Sequence, residues 1–315
     1  MTLLEEAKQQ LYDEGCPPVN LPVCDHYAGT PKFAEKALEF QQRWGQRLDI
    51  TLDLEDGAQV GKEAAQLEWV VEVIESANNR FNRIGVRIHD LDSSYWLNDI
   101  EALIPKVGDR LAYITVPKVR DVAQLSFFER TVQRIAQGVG LQRTIPLHVL
   151  IETHTALRDV WALAAYSAIE CLSFGLMDFV SAHYGSIPST AMKSPGQFQH
   201  PLVARAKLEI AAAAAAHGKV ASHNVTTEVR DPSVVRNDAI QAKESFGFSR
   251  MWSIHPMQIE PIIDVFSPSQ EMLAEAKTIL EAARTKQWGP IRHGDTLHDR
   301  ASYRYYAQVL ERSSV

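Results

Sequence analysis

Eight short apolar or β-branched segments alternate with stretches of helical spacing along this chain, and that alternation constrains the fold more than any other feature. The predicted strands are Val19–Cys24, Asp49–Leu54, Ile84–Ile88, Leu111–Val116, Leu147–Ile151, Ile169–Phe174, Lys219–His223 and Met251–Ile254. Predicted helices fall between them, among them Lys32–Trp44 behind Pro31, Lys62–Ala77, Trp96–Ile104, Val122–Gln137, Ala156–Ser167, Pro201–His217 and Ser233–Phe246. Strands and helices in strict alternation favour a parallel sheet, and eight such units predict a closed (β/α)₈ (TIM) barrel. An amphipathic helix, about Leu3–Glu14, and a break at Cys16-Pro17-Pro18 precede the first unit. No linker rich in Gly, Pro or Ser divides the chain before Phe266. The expected organisation is therefore a barrel over residues 1–265 and a C-terminal helical extension over 266–315. That extension carries an amphipathic helix (Glu271–Arg284) and an aromatic-rich one (Ser302–Leu310).

In a (β/α)₈ barrel the chemistry sits where the strands end. The strand ends here carry Asp53, Glu55 and Asp56, then Arg87, Lys118, Glu152, Asp178, His223-Asn224 and His255. Seven of the eight strands thus deliver a polar or charged group to one rim, which stability alone does not require. The stretch Leu147–Tyr184 reads as strand, helix, strand, with Glu152 and Asp178 just past the two strand ends. Parallel strands joined by a helix bring both ends to one sheet edge, so two acids 26 positions apart can sit side by side. Paired carboxylates suit Mg²⁺, which takes one or two of them and keeps positions open for substrate oxygens. A lone acid in such a place is equally a helix N-cap. Arg87 offers a fixed positive fork for a carboxylate or oxyanion; its structural alternative is an ion pair with Asp53 or Asp56 that braces the barrel mouth. Lys118 has the chemistry for a Schiff base, but an ion pair with Glu55 is the favoured reading. His255, before Pro256, reads as a hydrogen-bonded rim histidine rather than a metal ligand.

The rest of the composition narrows the class. A net charge of −7 gives no general attraction to nucleic acid or an anionic membrane. No run approaches the ~20 apolar residues of a membrane span, and the acidic opening Met1-Thr2-Leu3-Leu4-Glu5-Glu6 is unlike a signal peptide. Cys16, Cys24 and Cys171 have no metal-ligand spacing and read as reduced residues of a cytoplasmic protein. No glycine-rich nucleotide-binding motif is present.

Six motifs at the rim also resemble a family. LDLEDGAQVGK (Leu52–Lys62), VRIHDLD (Val86–Asp92), VPKV (Val116–Val119), IET (Ile151–Thr153), FGLMD (Phe174–Asp178) and SIHPMQI…FSPS (Ser253–Ile259, Phe266–Ser269) follow in the order found in the HpcH/HpaI aldolase and citrate lyase β-subunit superfamily, which includes malyl-CoA lyases. The resemblance covers about residues 20–310. It implies a metal-dependent barrel lyase, trimeric or hexameric, that makes or breaks a C–C bond next to an α-oxo acid. By it Glu152 and Asp178 hold Mg²⁺, Arg87 and Glu152 meet the substrate, and Asp53, Glu55, Asp56, Lys118 and His255 surround them. The substrate would be a 3-hydroxyacyl-CoA or a hydroxy-oxo acid. A catalytic acid reaching a neighbouring subunit's site is matched best by Asp299 in Leu297-His298-Asp299-Arg300-Ala301, with Asp295 in reserve; the ordinary alternative for Asp299 is a solvated helix cap.

Departures from the family pattern leave the substrate open. The first loop, His26-Tyr27-Ala28-Gly29-Thr30-Pro31-Lys32, lacks the usual arginine. His89 replaces an asparagine, His223-Asn224 an acid, and Arg250-Met251 a Gly-Lys. Two further readings therefore stand beside a lyase: a metal- or ligand-binding accessory subunit, and a 3-hydroxyacyl-CoA thioesterase.

Overall fold

The computed structural model of this chain describes residues 1–12, 18–57 and 61–313. After α1 (Leu3–Leu11), eight parallel strands close in sequence order into a barrel: β1 (Cys24–Ala28), β2 (Leu48–Asp53), β3 (Ile84–Arg87), β4 (Leu111–Val116), β5 (Leu147–Ile151), β6 (Ile169–Phe174), β7 (Val220–His223) and β8 (Arg250–Ser253), with β8 pairing back to β1. The connections hold α2 (Pro31–Trp44), α3 (Glu63–Glu75), α4 (Trp96–Val107), α5 (Val122–Gly138), then α6 (His154–Arg158) and α7 (Val160–Ala164) after β5. Three helices follow β6, namely α8 (Leu176–Ser181), α9 (Gly196–Gln199) and α10 (Pro201–Ala216). α11 (Pro232–Glu244) leads to β8, and α12 (Ile259–Phe266) packs back on β8 and β1 as the last helix of the ring. The tail is α13 (Gln270–Thr285), an antiparallel hairpin of β9 (Ile291–His293) and β10 (Thr296–His298), and α14 (Arg300–Glu311).

The helices begin where short polar side chains accept from their first turns. Thr30 caps α2, Asp121 caps α5, Thr153 caps α6 and Ser269 caps α13. The strands are buried on both faces, as all-parallel strands covered by helices must be. The predicted helix Ala156–Ser167 is two short helices that meet at Asp159. The ends placed at Glu14, Cys16 and Pro17 lie outside the described residues.

The first strand is displaced from its predicted place. Val19–Cys24 is the more apolar run, yet the strand is Cys24–Ala28, which includes Asp25 and His26. Asp25 is accommodated because the lumen supplies partners. It accepts from Thr51 Oγ1 at 2.7 Å and from the Tyr113 hydroxyl at 3.1 Å, and Arg250 Nη2 lies 3.0 Å from its second oxygen. Asp49 pairs with both Arg250 (2.5 Å) and Arg83 (2.7 Å). Arg250 and Asp49 are wholly buried, so this ionic layer belongs to the barrel core.

The tail has a core of its own. α1, α13 and α14 pack Leu11, Ile279, Leu280, Tyr303 and Leu310 together, so the N-terminal helix joins the C-terminal extension and not the ring of barrel helices. This unit is seated at the face where the strands begin. Gln308 and Arg312 line one cavity with Val19, Lys219, Val220 and Ser249, and Asn20 donates to the Glu311 carbonyl at 3.1 Å. Among the described residues no helix is long and apolar enough to cross a membrane.

Candidate active site

The strand ends converge as a (β/α)₈ barrel requires. Arg87, the last residue of β3, grips Asp53, the last residue of β2, through two parallel contacts: Nε to Oδ1 at 2.7 Å and Nη2 to Oδ2 at 2.6 Å. Its Nη1 lies 2.9 Å from Glu55 Oε2. A guanidinium has five N–H groups, so these three contacts leave at least two for a substrate. Asp53 is buried and also accepts from the backbone N–H of Glu55 (3.1 Å) and Gly57 (2.8 Å), which folds the Glu55-Asp56-Gly57 turn back over the strand end. That turn needs glycine, because a Cβ on Gly57 would stand 2.2 Å from Asp53 Oδ2. The structural partners of Arg87 are thus Asp53 and Glu55, while Asp56 goes to Lys118 at 3.3 Å.

Lys118 links the two halves of the rim. Its ammonium donates to Glu55 Oε1, and its backbone N–H donates to Glu152 Oε1 at 2.7 Å. The residue adopts φ +48°, uncommon for a non-glycine, and this turn presents the N–H to Glu152. Burial alone would lower the Lys118 ammonium, but Glu55 and Asp56 hold it above its usual range. A permanently charged lysine is a poor nucleophile, so the ion pair describes it better than a Schiff base.

Glu152 follows β5 and is 2% exposed. Gly175 follows β6 and leaves room for it, since a Cβ there would meet Glu152 Oε2 at 2.3 Å. Asp178 stands on the first turn of α8. Burial first, and the like charge of Asp178 second, push the Glu152 carboxyl up to about 8, against the Lys118 N–H and the Arg87 charge. Two carboxylates that repel one another in a desolvated pocket lack a positive charge. Among the described residues, Glu152 Oε2 and the Asp178 carboxylate have no hydrogen-bond donor, and no group of three His, Cys, Asp or Glu forms a cage. The pair therefore fits a hard divalent cation that keeps several positions for water or substrate, and it does not fit a zinc-type site with three protein ligands.

Other predicted positions sit apart from this centre. His255 is exposed and caps the turn after β8, its Nδ1 accepting from the Met257 N–H at 3.3 Å. His89 is tied to Asp99 through both its backbone N–H (2.9 Å) and its ring (2.8 Å). His223 and Asn224 are buried in a network around Lys207, whose ammonium contacts His223 Nε2 and donates to Gln197 Oε1 and Asn224 Oδ1, each at 2.9 Å. Burial pushes Lys207 well below its usual range. Asp299 caps α14, accepting from the N–H groups of Ala301 (2.9 Å) and Ser302 (3.4 Å). It belongs to the unit seated at the strand-start face, the end of the barrel opposite Glu152 and Asp178.

Sequence reasoning did not single out Lys207. A signal was available: Val203, Ala206 and Ile210 surround it at helical spacing, so it lies on the buried stripe of α10. It also missed Tyr27 and Trp252, placed in a loop and an unremarked strand, which stack in the barrel beside Arg87.

Residues 40–256 match the family model of HpcH/HpaI aldolase/citrate lyase. The chain belongs to that family. Aldolases and citrate lyases make or break a carbon–carbon bond, and the chain is an enzyme of that class. A relative in this family, the L-malyl-CoA/beta-methylmalyl-CoA lyase of Cereibacter sphaeroides (strain ATCC 17025 / ATH 2.4.3), is 28% identical over 278 residues, covering 84% of this chain and 86% of the relative. The malyl-CoA/beta-methylmalyl-CoA/citramalyl-CoA lyase of Chloroflexus aurantiacus is 24% identical over 248 residues, 73% of this chain and 70% of the relative. A crystal structure of a citrate lyase from Burkholderia xenovorans LB400 is 53% identical and superposes with a TM-score of 0.87, covering 96% of this chain and 95% of that one. The fold is shared with protein CitE of Mycobacterium tuberculosis in complex with magnesium, acetoacetate and coenzyme A, at 21% identity and a TM-score of 0.66 over 94% of this chain and 99% of that one.

Proposed function

We propose that this protein is a Mg²⁺-dependent lyase that cleaves a 3-hydroxyacyl-CoA by a retro-Claisen or retro-aldol route and releases an α-oxo acid. The observation that carries the reading is the pair of buried Glu152 and half-buried Asp178, mutually repelling and next to Arg87. Relatives that act on malyl-CoA and citramalyl-CoA support a thioester substrate, and the fold relative complexed with magnesium supports the choice of cation.

Cleavage turns the substrate hydroxyl into a carbonyl and leaves an enolate on the departing fragment. A divalent cation held by Glu152 and Asp178 supplies Lewis-acid polarisation of substrate oxygens. Arg87 presents its two remaining N–H groups to the oxygen on which negative charge develops, and it cannot lose its proton. Asp53 and Glu55 hold the edges of that guanidinium before substrate arrives. Lys118 orients Glu152 through its backbone N–H and holds the Glu55 carboxyl through its ammonium. Gly175 keeps the Glu152 side chain pressed against the β6 end.

The general acid or base is assigned to Asp299 of a neighbouring copy in a homotrimer or homohexamer. The unit bearing Asp299 sits at the wrong end of its own barrel, so the side chain serves a site only across an interface. A cytoplasmic setting suits the reduced, buried Cys24 and Cys171.

The test is incubation with Mg²⁺ and a panel of 3-hydroxyacyl-CoA esters and 4-hydroxy-2-oxo acids. Release of an α-oxo acid supports the reading. Free thiol without oxo acid makes the protein a thioesterase, and no product at all makes it an accessory subunit. Hybrid oligomers of Asp299→Ala and Glu152→Gln chains test the shared site. Part of the activity returns if the site is shared, and none returns if Asp299 is only a helix cap.

A further inference from the structure

Carboxylates hold the Arg87 guanidinium at its edges, but contacts made in the plane of the ion resist tilting out of that plane only weakly. Its face meets Tyr27. The guanidinium carbon lies 5.2 Å from the centre of the phenol ring, and that ring is stacked on Trp252 with 4.5 Å between centroids and 28° between planes. The two aromatics come from β1 and β8, the strands that pair to close the barrel, where Asp25 and Trp252 are register partners. The Tyr27 hydroxyl and the Trp252 Nε1 are both buried and have no hydrogen-bond partner among the described residues. Burying a polar atom without a partner is unfavourable, so neither ring is explained by a bond from its polar end. What both rings supply to the site is their faces, and a desolvated cation over an aromatic face is attracted by the ring quadrupole.

We propose that Tyr27, backed by Trp252, is a positioning residue for Arg87: its ring fixes the tilt of the guanidinium so that the two N–H groups not taken by Asp53 and Glu55 point at the substrate. The catalytic consequence rests on the lyase reading above; the seat itself does not. Tyr27 works through its π face, and its hydroxyl is dispensable. Because a misdirected group loses rate more than ground-state binding, the effect falls on kcat.

Tyr27→Phe should keep kcat within about threefold of wild type. Tyr27→Leu should lower kcat roughly tenfold or more with little change in KM, and it should cause no further loss in an Arg87→Lys background. Equal losses in Tyr27→Phe and Tyr27→Leu would overturn the proposal and make the hydroxyl a substrate-bonding group. A second arm needs no turnover: urea unfolding of the wild type, Tyr27→Leu, Arg87→Met and the double variant. Coupled losses, with the double variant less destabilised than the two singles together, support the seat. Additive losses overturn it even if the enzyme is an active lyase. Coupling found in a protein that cleaves nothing retains the seat and removes the lyase reading.

Discussion

In the lower lumen Asp25 and Asp49 face Arg83 and Arg250, whereas at the rim Asp53, Glu55, Asp56, Glu152 and Asp178 face only Arg87 and Lys118. The ion pairs of the first layer are balanced, Asp25 and Asp49 against Arg83 and Arg250, and its central members are sealed from water. The second carries three carboxylates more than it has cations. Both layers are built from the same residue types, and on β2 their members Asp49 and Asp53 stand four residues apart. The difference lies in what remains to be paired. A balanced buried network is finished by folding, and its value is structural. An unbalanced one holds negative charge that folding does not neutralise, and its raised Glu152 carboxyl marks where an added cation would be stabilised most.

The largest effect that separates the two layers is expected from Glu152→Gln or Asp178→Asn. Turnover should fall by at least about 10²–10³-fold, and calorimetry should show weakened Mg²⁺ binding. The fold should not suffer. Since the folded carboxyl is raised to about 8, ionising it costs stability as pH rises from about 4.5 towards 8. Glu152→Gln escapes that cost and should melt at or above the wild-type temperature in chelator at pH 8. Wild-type metal affinity in both variants would remove the pair from the site.

The lower layer should respond the other way. Arg250→Met strips the charge that compensates Asp25 and Asp49, and breaking a buried pair from one side costs about 3–5 kcal/mol. Denaturant unfolding should show that loss, while kcat per folded molecule stays near wild type. A variant that folds normally but has lost turnover would end the distinction between brace and site.

Arg87 tests the border between the layers, since it belongs to both descriptions. Arg87→Lys keeps the charge but replaces a fork by a point. Turnover should fall about 10²-fold with a melting temperature close to wild type. If stability falls and activity returns on cooling, Arg87 is a brace like Arg250.

The barrel was legible because its strands are buried on both faces and therefore read as continuous apolar runs. β4, β5 and β6 end where the sequence placed them. β1 did not read this way, since Asp25 and His26 resemble loop residues until their partners are known, Arg250 and Thr51 in the lumen and Ser253 on the opposite strand face, and those lie far away in sequence. The rim residues were legible because a barrel sends each strand end to one place. What each one touches was only partly so, because the partner is chosen by side-chain reach: the sequence suggested Asp53 or Asp56 for Arg87, and Arg87 takes Asp53 together with Glu55. The Lys207 network was hidden for a related reason, as a lysine within an alanine-rich helix looks solvated until the burial of that face is seen.

The smallest expected effect concerns His26, which stands on β1 next to Asp25 but on the opposite strand face. Its Nδ1 lies 2.7 Å from Ser253 Oγ, and burial, with the neighbouring His255, lowers its pKa to about 4. The unfolded chain takes up a proton near 6.5, so between pH 6.5 and about 4 the unfolded state binds more protons than the folded one. His26 therefore contributes stability that is fully present above pH 6.5 and is lost as pH falls through that window. At pH 5 the loss amounts to roughly 2 kcal/mol. His148 and His223 are also held well below their usual range by burial and add to the same slope. Glu152, with its raised carboxyl, has the opposite sign and favours the folded state as pH falls. His26→Gln removes one contributor and leaves the others. Its unfolding free energy should fall less between pH 7 and pH 5 than that of the wild type, by about 2 kcal/mol. Parallel slopes in the two proteins would mean that His26 is protonated in the folded barrel, and that its burial beside Ser253 does not exclude water.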